Sequence, residues 1–508
     1  MRVKFYPENT LNAEICKHKN NADCTFSETT DVRYLQSSDP MEMWGFKNNI
    51  RLSTYINQLY GDNENITDVL NTGVIDFDIY FNTDKWKNPI TGVIENIPDY
   101  YSLSYSQSGV DAYGVTLNQS KSISYPNHGQ EMFNVSGGAL GYDYENSVSG
   151  ASNQYELIGV IESQKEWYNL NLNKLSSSIS YRGGKSQSSK SLIPYLLGGR
   201  NSNVVGGTSL PANVNTQLDT FYGVGLGYDP NGFTSVNRAD MLNYENSLRY
   251  YDYTVSRNLT DANTIMNREL QATILNNGWF RNFTHWHDAN SELTVLRDYL
   301  ELCKTNFTSN NVHTCSAGEA IEYLFLREIT NRVTAQEKNS KVYIIADVID
   351  KYKNLDSNGI SEIVPYDVIN TSLSVKLDLT GTSLAGQNIK SSFGKIIDLG
   401  SNEIIVEIPF NKKELFQTIT LEVGADGYYN TNIPTATFTN ISNLITITSN
   451  QKVKAVLFSK LTAETEVDYI VVQRSNDLKE IHTFVSESGK NYRFGIINEF
   501  GKMNLIDI

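Results

Sequence analysis

The chain has 508 residues, too many for one hydrophobic core, and at roughly 150 residues per domain about three domains are expected. Its 57 acidic against 42 basic side chains leave a formal net charge of -15, which repels a phosphate backbone and excludes broad nucleic-acid contact. No run approaches 18 apolar residues, so membrane insertion is not expected, and the opening MRVKFYPENTLNAEICKHKN lacks the apolar segment and cleavage site of a signal peptide.

Residues 1–20 read as an N-terminal extension. From residue 21 to 337 strand-like and helix-like segments alternate. DCTF (23–26) is a short strand, and Asp39-Pro40 supplies an N-cap with proline at the first helical position, ahead of MEMWGF and the strand IRLSTYI (50–56). A short helix at TDVL (67–70) closes at Gly73 and leads into VIDFDIYF (74–81). A helix is expected over 157–175, before the strand SISY (178–181), and another over 261–275. WFRNFTHWH (279–287) reads as a buried strand, followed by a helix that Ser291 caps and that turns Leu293, Leu296, Leu300 and Cys303 inward. NVHT (311–314) is a short strand, and Ser316-Ala-Gly-Glu319 is a capping box opening a further helix. Repeated β-α units predict a parallel sheet or barrel, whose sites lie where strands end and loops begin. Polar, Gly- and Asn-rich insertions near 100–155 and 200–240 are long enough to be covering or partner-binding elaborations.

Beyond residue 337 the period changes. LSVKLDL (373–379) alternates strictly, with Leu373, Val375, Leu377 and Leu379 on one face, and EIIVEIPF, LITIT, VKAVLF and YIVVQ follow the same habit. The expectation is a β-sandwich over 338–425 and a second small β domain over 426–508, both sandwich-like, giving an α/β plus all-β chain. Four cysteines without a CxxC pair are expected to be buried free thiols. Few charges, 31 tyrosines and abundant Asn and Ser describe neutral polar surfaces suited to sugars or protein partners, although codon bias alone would give the same mix.

His285 and His287 fall on one side of a strand that runs through both, because side chains alternate with period two. Two imidazoles can hold zinc or another divalent metal when a carboxylate completes the set. The plainer alternative packs one histidine beneath Trp286.

The order of these segments resembles the polysaccharide deacetylase (NodB-like) family. Thr25-Phe26-Ser27-Glu28 stands where the family's first aspartate motif falls, IRLSTYIN resembles its second strand, Asn127-His128-Gly129 its histidine loop, SISYRGG its arginine motif and FTHWHD its final motif. The resemblance covers residues from about 20 to 335 and implies a deformed (β/α) barrel that hydrolyses acetyl groups on sugars with a divalent metal. It implies Glu28 as metal ligand or base, His128 and Asp288 as further ligands, His285 or His287 as acid, and Arg182 as orienter of the base; Asp31 is a substitute ligand. Ser27 stands where the family has its base aspartate, and position 131 or 132, where a second histidine belongs, is Glu or Met. Loss of a general base alone costs about 10²–10⁴ in rate.

The expectation is therefore a virion structural or adhesion protein, a phage spike, fibre or tail-associated component, whose degenerate deacetylase-like domain serves glycan contact or assembly. The alternative is an active metal-dependent carbohydrate deacetylase or esterase, with a divalent metal that the degenerate form would lack. Expected partners are cell-surface polysaccharide, other virion proteins and further copies of the chain, and the expected location is the virion or the extracellular space after lysis.

Overall fold

The computed structural model describes residues 8–31, 39–55, 66–80, 277–285, 291–316, 330–348, 371–410, 416–425, 427–460 and 469–508, with short strands inside 85–249 and helical positions inside 267–275 and 319–327. Two short strands come first, β1 (Asn9–Leu11) and β2 (Ala13–Ile15). Then follow β3 (Cys24–Asp31), α1 (Asp39–Asn48), β4 (Leu52–Tyr55), α2 (Ile66–Thr72) and β5 (Ile75–Tyr80). Two antiparallel hairpins pair β6 (Lys85–Lys87) with β7 (Ile94–Asn96) and β8 (Leu103–Val110) with β9 (Thr116–Ile123). Strands β10 (Ser178–Ser180), β11 (Gly198–Asn201), β12 (Tyr222–Gly225), β13 (Leu248–Arg249) and β14 (Trp279–His285) lead to α3 (Ser291–Thr308) and β15 (Val312–Thr314).

These strands form one parallel sheet in the order β12-β11-β10-β5-β4-β3-β14-β13, with β15 also paired to β3. The strands keep sequence order until β13 and β14, which return to the free edge of β3, so the sheet curls into a half-barrel. Strand β3 is its centre. Its Phe26 meets Phe280, Tyr299 and Phe307 at ring-centroid distances of 5.9, 6.3 and 5.1 Å, which fixes α3 over that face. Leu300 and Cys303 of α3 are fully buried there, as the helical spacing predicts. The face of β3 that carries Ser27 instead receives the indole N–H of Trp279, which donates to Ser27 Oγ over 3.0 Å.

The sandwich that follows has strands β16 (Thr330–Lys338), β17 (Lys341–Val348), β18 (Ser372–Asp378), β19 (Ile389–Ser391), β20 (Ile396–Gly400), β21 (Glu403–Pro409) and β22 (Phe416–Val423). One sheet runs β1-β16-β17-β22-β19 and the other β2-β18-β21-β20. The residues set apart by sequence as an N-terminal extension thus lend one strand to each sheet. Leu373, Val375, Leu377 and Leu379 all face the core, as their alternation predicts, with Ile404 and Val406 beside them on β21 and Ile344, Ile419 and Leu421 on the facing sheet.

The last unit contains β23 (Ala436–Ile441), β24 (Leu444–Lys460), β25 (Tyr469–Val485), β26 (Tyr492–Asn498) and β27 (Met503–Asp507). It is a single five-stranded antiparallel sheet, not a second sandwich. LITIT and VKAVLF, expected as separate strands, are the two ends of β24, whose pairing with β25 shifts register between Thr448 and Val453. The irregularity lets one long strand serve as two sides of a core made by Ile445, Ile447, Val453, Ala455, Leu457 and Phe494. Residues 455–459 are buried on both faces, because α1 covers the other one.

Helix α1 explains that docking. Met41, Glu42, Met43, Trp44, Phe46 and Asn48 are all buried, so residues 41–46 are enclosed on every side, between the parallel sheet and the C-terminal sheet. Gly45 lets it approach β5, since a Cβ there would lie 2.4 Å from Val74 Cγ1. Glu42 is charged on this buried surface and receives the Arg474 guanidinium from β25 at 2.7 Å. Phe46 lies edge-on to Phe458 at 6.0 Å and fills the space above Gly495, where a Cβ would stand 2.3 Å from its ring. Gly495→Ala is therefore expected to cost about 1–3 kcal/mol by overpacking, read as a lower urea midpoint, with part of the loss regained in the double variant Gly495→Ala/Phe46→Leu.

Candidate functional site

Parallel strands deliver their C-terminal ends to one rim, the usual place for a site in such sheets. Three of them end in register here, alongside β5, which runs two residues further. His285 of β14 pairs with Asp31 of β3, Asp31 with Tyr55 of β4, and Tyr55 with Asp78 of β5. At about 4.8 Å between neighbouring strands the row spans roughly 15 Å. It aligns a histidine, two aspartates and a tyrosine by backbone register.

Glu28 takes a different place. It is fully buried, in register with Asn282 and three positions before the rim row. It shares the Phe26 side of β3, under α3, where its charge helps to push the buried Cys303 thiol up, after burial itself. Ser27 is equally buried, within 3.8 Å of Cys315 Sγ and bonded to Trp279. The two positions that align with the family's aspartates are thus packed into the walls of the half-barrel. Arg182, His128, His287 and Asp288 lie outside the described residues, as does the helix expected over 157–175.

The opposite rim holds a charged cluster that sequence reading did not assemble. Glu319 accepts from Arg51 Nη1 at 2.7 Å and from Lys19 Nζ at 3.1 Å, while His313 Nε2 lies 3.4 Å away. The serine half of the expected capping box is present, since the Glu319 backbone N–H donates to Ser316 Oγ over 3.1 Å, while the Glu319 carboxylate turns to Arg51 and Lys19. Burial works to raise the Glu319 pKa, but Arg51 and Lys19 overcome it and hold the group well below the usual carboxylate range. Burial pushes His313 down, so the imidazole is neutral near pH 7. Nothing in the spacing of Lys19, Arg51, His313 and Glu319 announces the cluster, because four separate segments meet there.

His313, Cys315 and Glu319 place a nitrogen, a sulfur and an oxygen donor within 4.8 Å of one another, a possible metal triad by atom type. Its electrostatics are those of an already neutralised site. Two cations occupy the carboxylate, and burial pushes the Cys315 thiol far up, so it stays protonated. A divalent ion would have to displace both cations and deprotonate that thiol, and the triad does not fit a hydrolytic metal. All four cysteines are free and buried, as expected from their number and spacing.

No protein-family model matches the chain, and no curated protein matches it. Among solved structures it is similar to a Mycobacterium smegmatis protein described as a polysaccharide deacetylase, with 9% identity, 64% of this chain and 98% of that one covered, and a TM-score of 0.33. A gamma-CGTase from alkalophilic Bacillus clarkii shares 9% identity, with 92% of this chain and 88% of that one covered and a TM-score of 0.24. Likenesses this distant carry no functional weight.

His18 ties the start of β3 to the turn before β14. Its Nε2 lies 2.9 Å from the carbonyl of Asn277, which can only accept, so Nε2 carries the proton and Nδ1 accepts from Thr25 Oγ1, also at 2.9 Å. Burial pulls its pKa down from 6.5 to about 4. A histidine held neutral in the fold contributes stability that is complete above about pH 6.5 and lost as pH falls towards 4, where the unfolded chain binds the proton first. The loss amounts to roughly 3 kcal/mol. The thermal midpoint is expected to fall between pH 7 and pH 5, and His18→Gln to flatten that slope in a scanning calorimetry series.

Proposed function

We propose that the chain is a glycan-contacting structural or adhesion protein built on a deformed (β/α) barrel of deacetylase type that has lost its original chemistry. The observation that carries this reading is the register row His285–Asp31–Tyr55–Asp78 at the C-terminal rim of the curled parallel sheet. Histidine, tyrosine and aspartate are residue types that recognise sugar hydroxyls, and a tyrosine adds an apolar ring face at low ordering cost. The loss of chemistry is supported by Ser27 and Glu28, both packed away from that rim. A virion setting is supported by composition, namely few charges and surfaces rich in Tyr, Asn and Ser, together with the appended β units.

A second reading is favoured by the same row. His285, Asp31 and Asp78 are metal-capable residue types, and an active deacetylase or esterase would take Asp31, not Glu28, as its ligand or base. One experiment separates the two. The purified chain is incubated with acetylated oligosaccharides in the presence of zinc, cobalt or nickel, and both acetate release and retention on immobilised glycan are followed. The first reading expects no acetate above blank and glycan retention that His285→Ala abolishes. Metal-dependent acetate release that Asp31→Asn and His285→Ala remove would replace it with the second, and absence of both signals sinks both.

A further inference from the structure

A cleft of about 500 Å³ opens at the N-terminal rim of the parallel sheet, on the far side from the row above, where the half-barrel, the sandwich and the C-terminal sheet meet. Most of its charge is already compensated. Lys19 and Arg51 share Glu319, Lys395 takes Glu499, and Glu407 accepts from the hydroxyls of Ser372 and Ser374. Two lysines differ. Lys454 of β24 donates to the Asn71 carbonyl and Lys502 lies 5.9 Å from the Phe500 ring centroid, and no carboxylate of the described residues pairs with either. Both ammonium groups are half-buried, and burial lowers both pKa values, so a negative charge brought beside them would be favoured.

The wall beside them is aromatic. Phe500 and Tyr429 lie 5.5 Å apart with their rings tilted at 49°, and both line the cleft. Asn20, in a left-handed turn with φ 58°, adds an uncharged amide at the same opening. A bare inorganic anion would use the lysines and leave the ring wall and most of the volume unfilled. A neutral sugar would use the ring and leave two half-buried cations unanswered. On a chain of net charge -15, an uncompensated pair of lysines in a cleft is a local reversal of the overall field.

We propose that this cleft binds a carboxylated monosaccharide of the uronate class, its carboxylate taken by Lys454 and Lys502 and one sugar face laid against Phe500. The volume is that of a small-molecule site, and the combination of apolar ring and few directed polar groups is how such sites fix orientation. The site stands on residues that the C-terminal rim does not use, so its failure and the failure of the proposed function are separable.

The test is calorimetric titration of the full chain with D-glucuronate, D-glucose and inorganic phosphate at matched ionic strength, with ligand-observed NMR where heats are small. Saturable glucuronate binding is expected, at least ~10-fold tighter than glucose and weakened by salt. Lys502→Met and Phe500→Ala are each expected to weaken it ~10-fold, and Lys454→Met likewise. Because Lys454 also bonds the α2 turn, its variant is read only if the thermal midpoint is unchanged, and Lys502→Met then decides. His285→Ala is expected to bind glucuronate normally. No saturable glucuronate binding, equal binding of glucose, equal displacement by phosphate, or an unchanged affinity in Lys502→Met would each overturn the proposal.

Discussion

The pairing of β3 with β14 is the constraint on which the half-barrel depends. Seven consecutive positions, Thr25 to Asp31, meet Trp279 to His285, and the chain between them is about 250 residues long. Closing so long a loop costs only logarithmically more than closing a short one, but it must be repaid by contacts that exist only when the ends meet. Those contacts are present on both faces. Phe26 and Phe280 pack together under α3, and Trp279 bonds Ser27 on the other side. His18 adds a third tie by bridging Thr25 and the carbonyl of Asn277, and β15 occupies the remaining length of the β3 edge.

The same pairing decides what can be chemical. A strand with both edges paired and both faces packed exposes mainly its ends, and Ser27 and Glu28, in the middle of β3, are fully buried. Serine bonds an indole, and Glu28 lies beneath α3. Three residues further on, Asp31 reaches the rim in register with His285.

Much of the architecture is legible in the sequence because it follows local periodicity. The β-α-β start, the short helix ending at Gly73, the aromatic strand into His285, the Ser316 capping box and the alternating leucines of 373–379 are all signals carried by neighbours in the chain. What stays hidden is what distant segments do to each other. β1 and β2 are three residues each, too short to show a period, and their partners stand more than 300 residues away. The Lys19–Arg51–His313–Glu319 cluster likewise has no linear pattern. Helix α1 hides a different way: MEMWGF has no polar face because none of it meets water, so an amphipathic template misses the reason for its glutamate.

The C-terminal sheet supplies that reason, and with it a division between the two rims. By lying over α1 and α2 it buries the outer side of the half-barrel's first β-α units, and the bonds from Arg474 to Glu42 and from the Met503 N–H to Asn49 Oδ1 fix its position. A surface that is covered in this way cannot bind anything else. Among the described residues the two ends of the strands differ in kind. The C-terminal rim carries His285, Asp31, Tyr55 and Asp78 in one backbone pairing row. The N-terminal rim is created by the docking itself, because Lys454, Phe500 and Lys502 arrive on the C-terminal sheet while Lys19 and Arg51 belong to the segments that lead into the half-barrel. Detaching that sheet would leave the first rim's pairing row intact and would dismantle the second, so the cleft exists only while the appended β unit is docked.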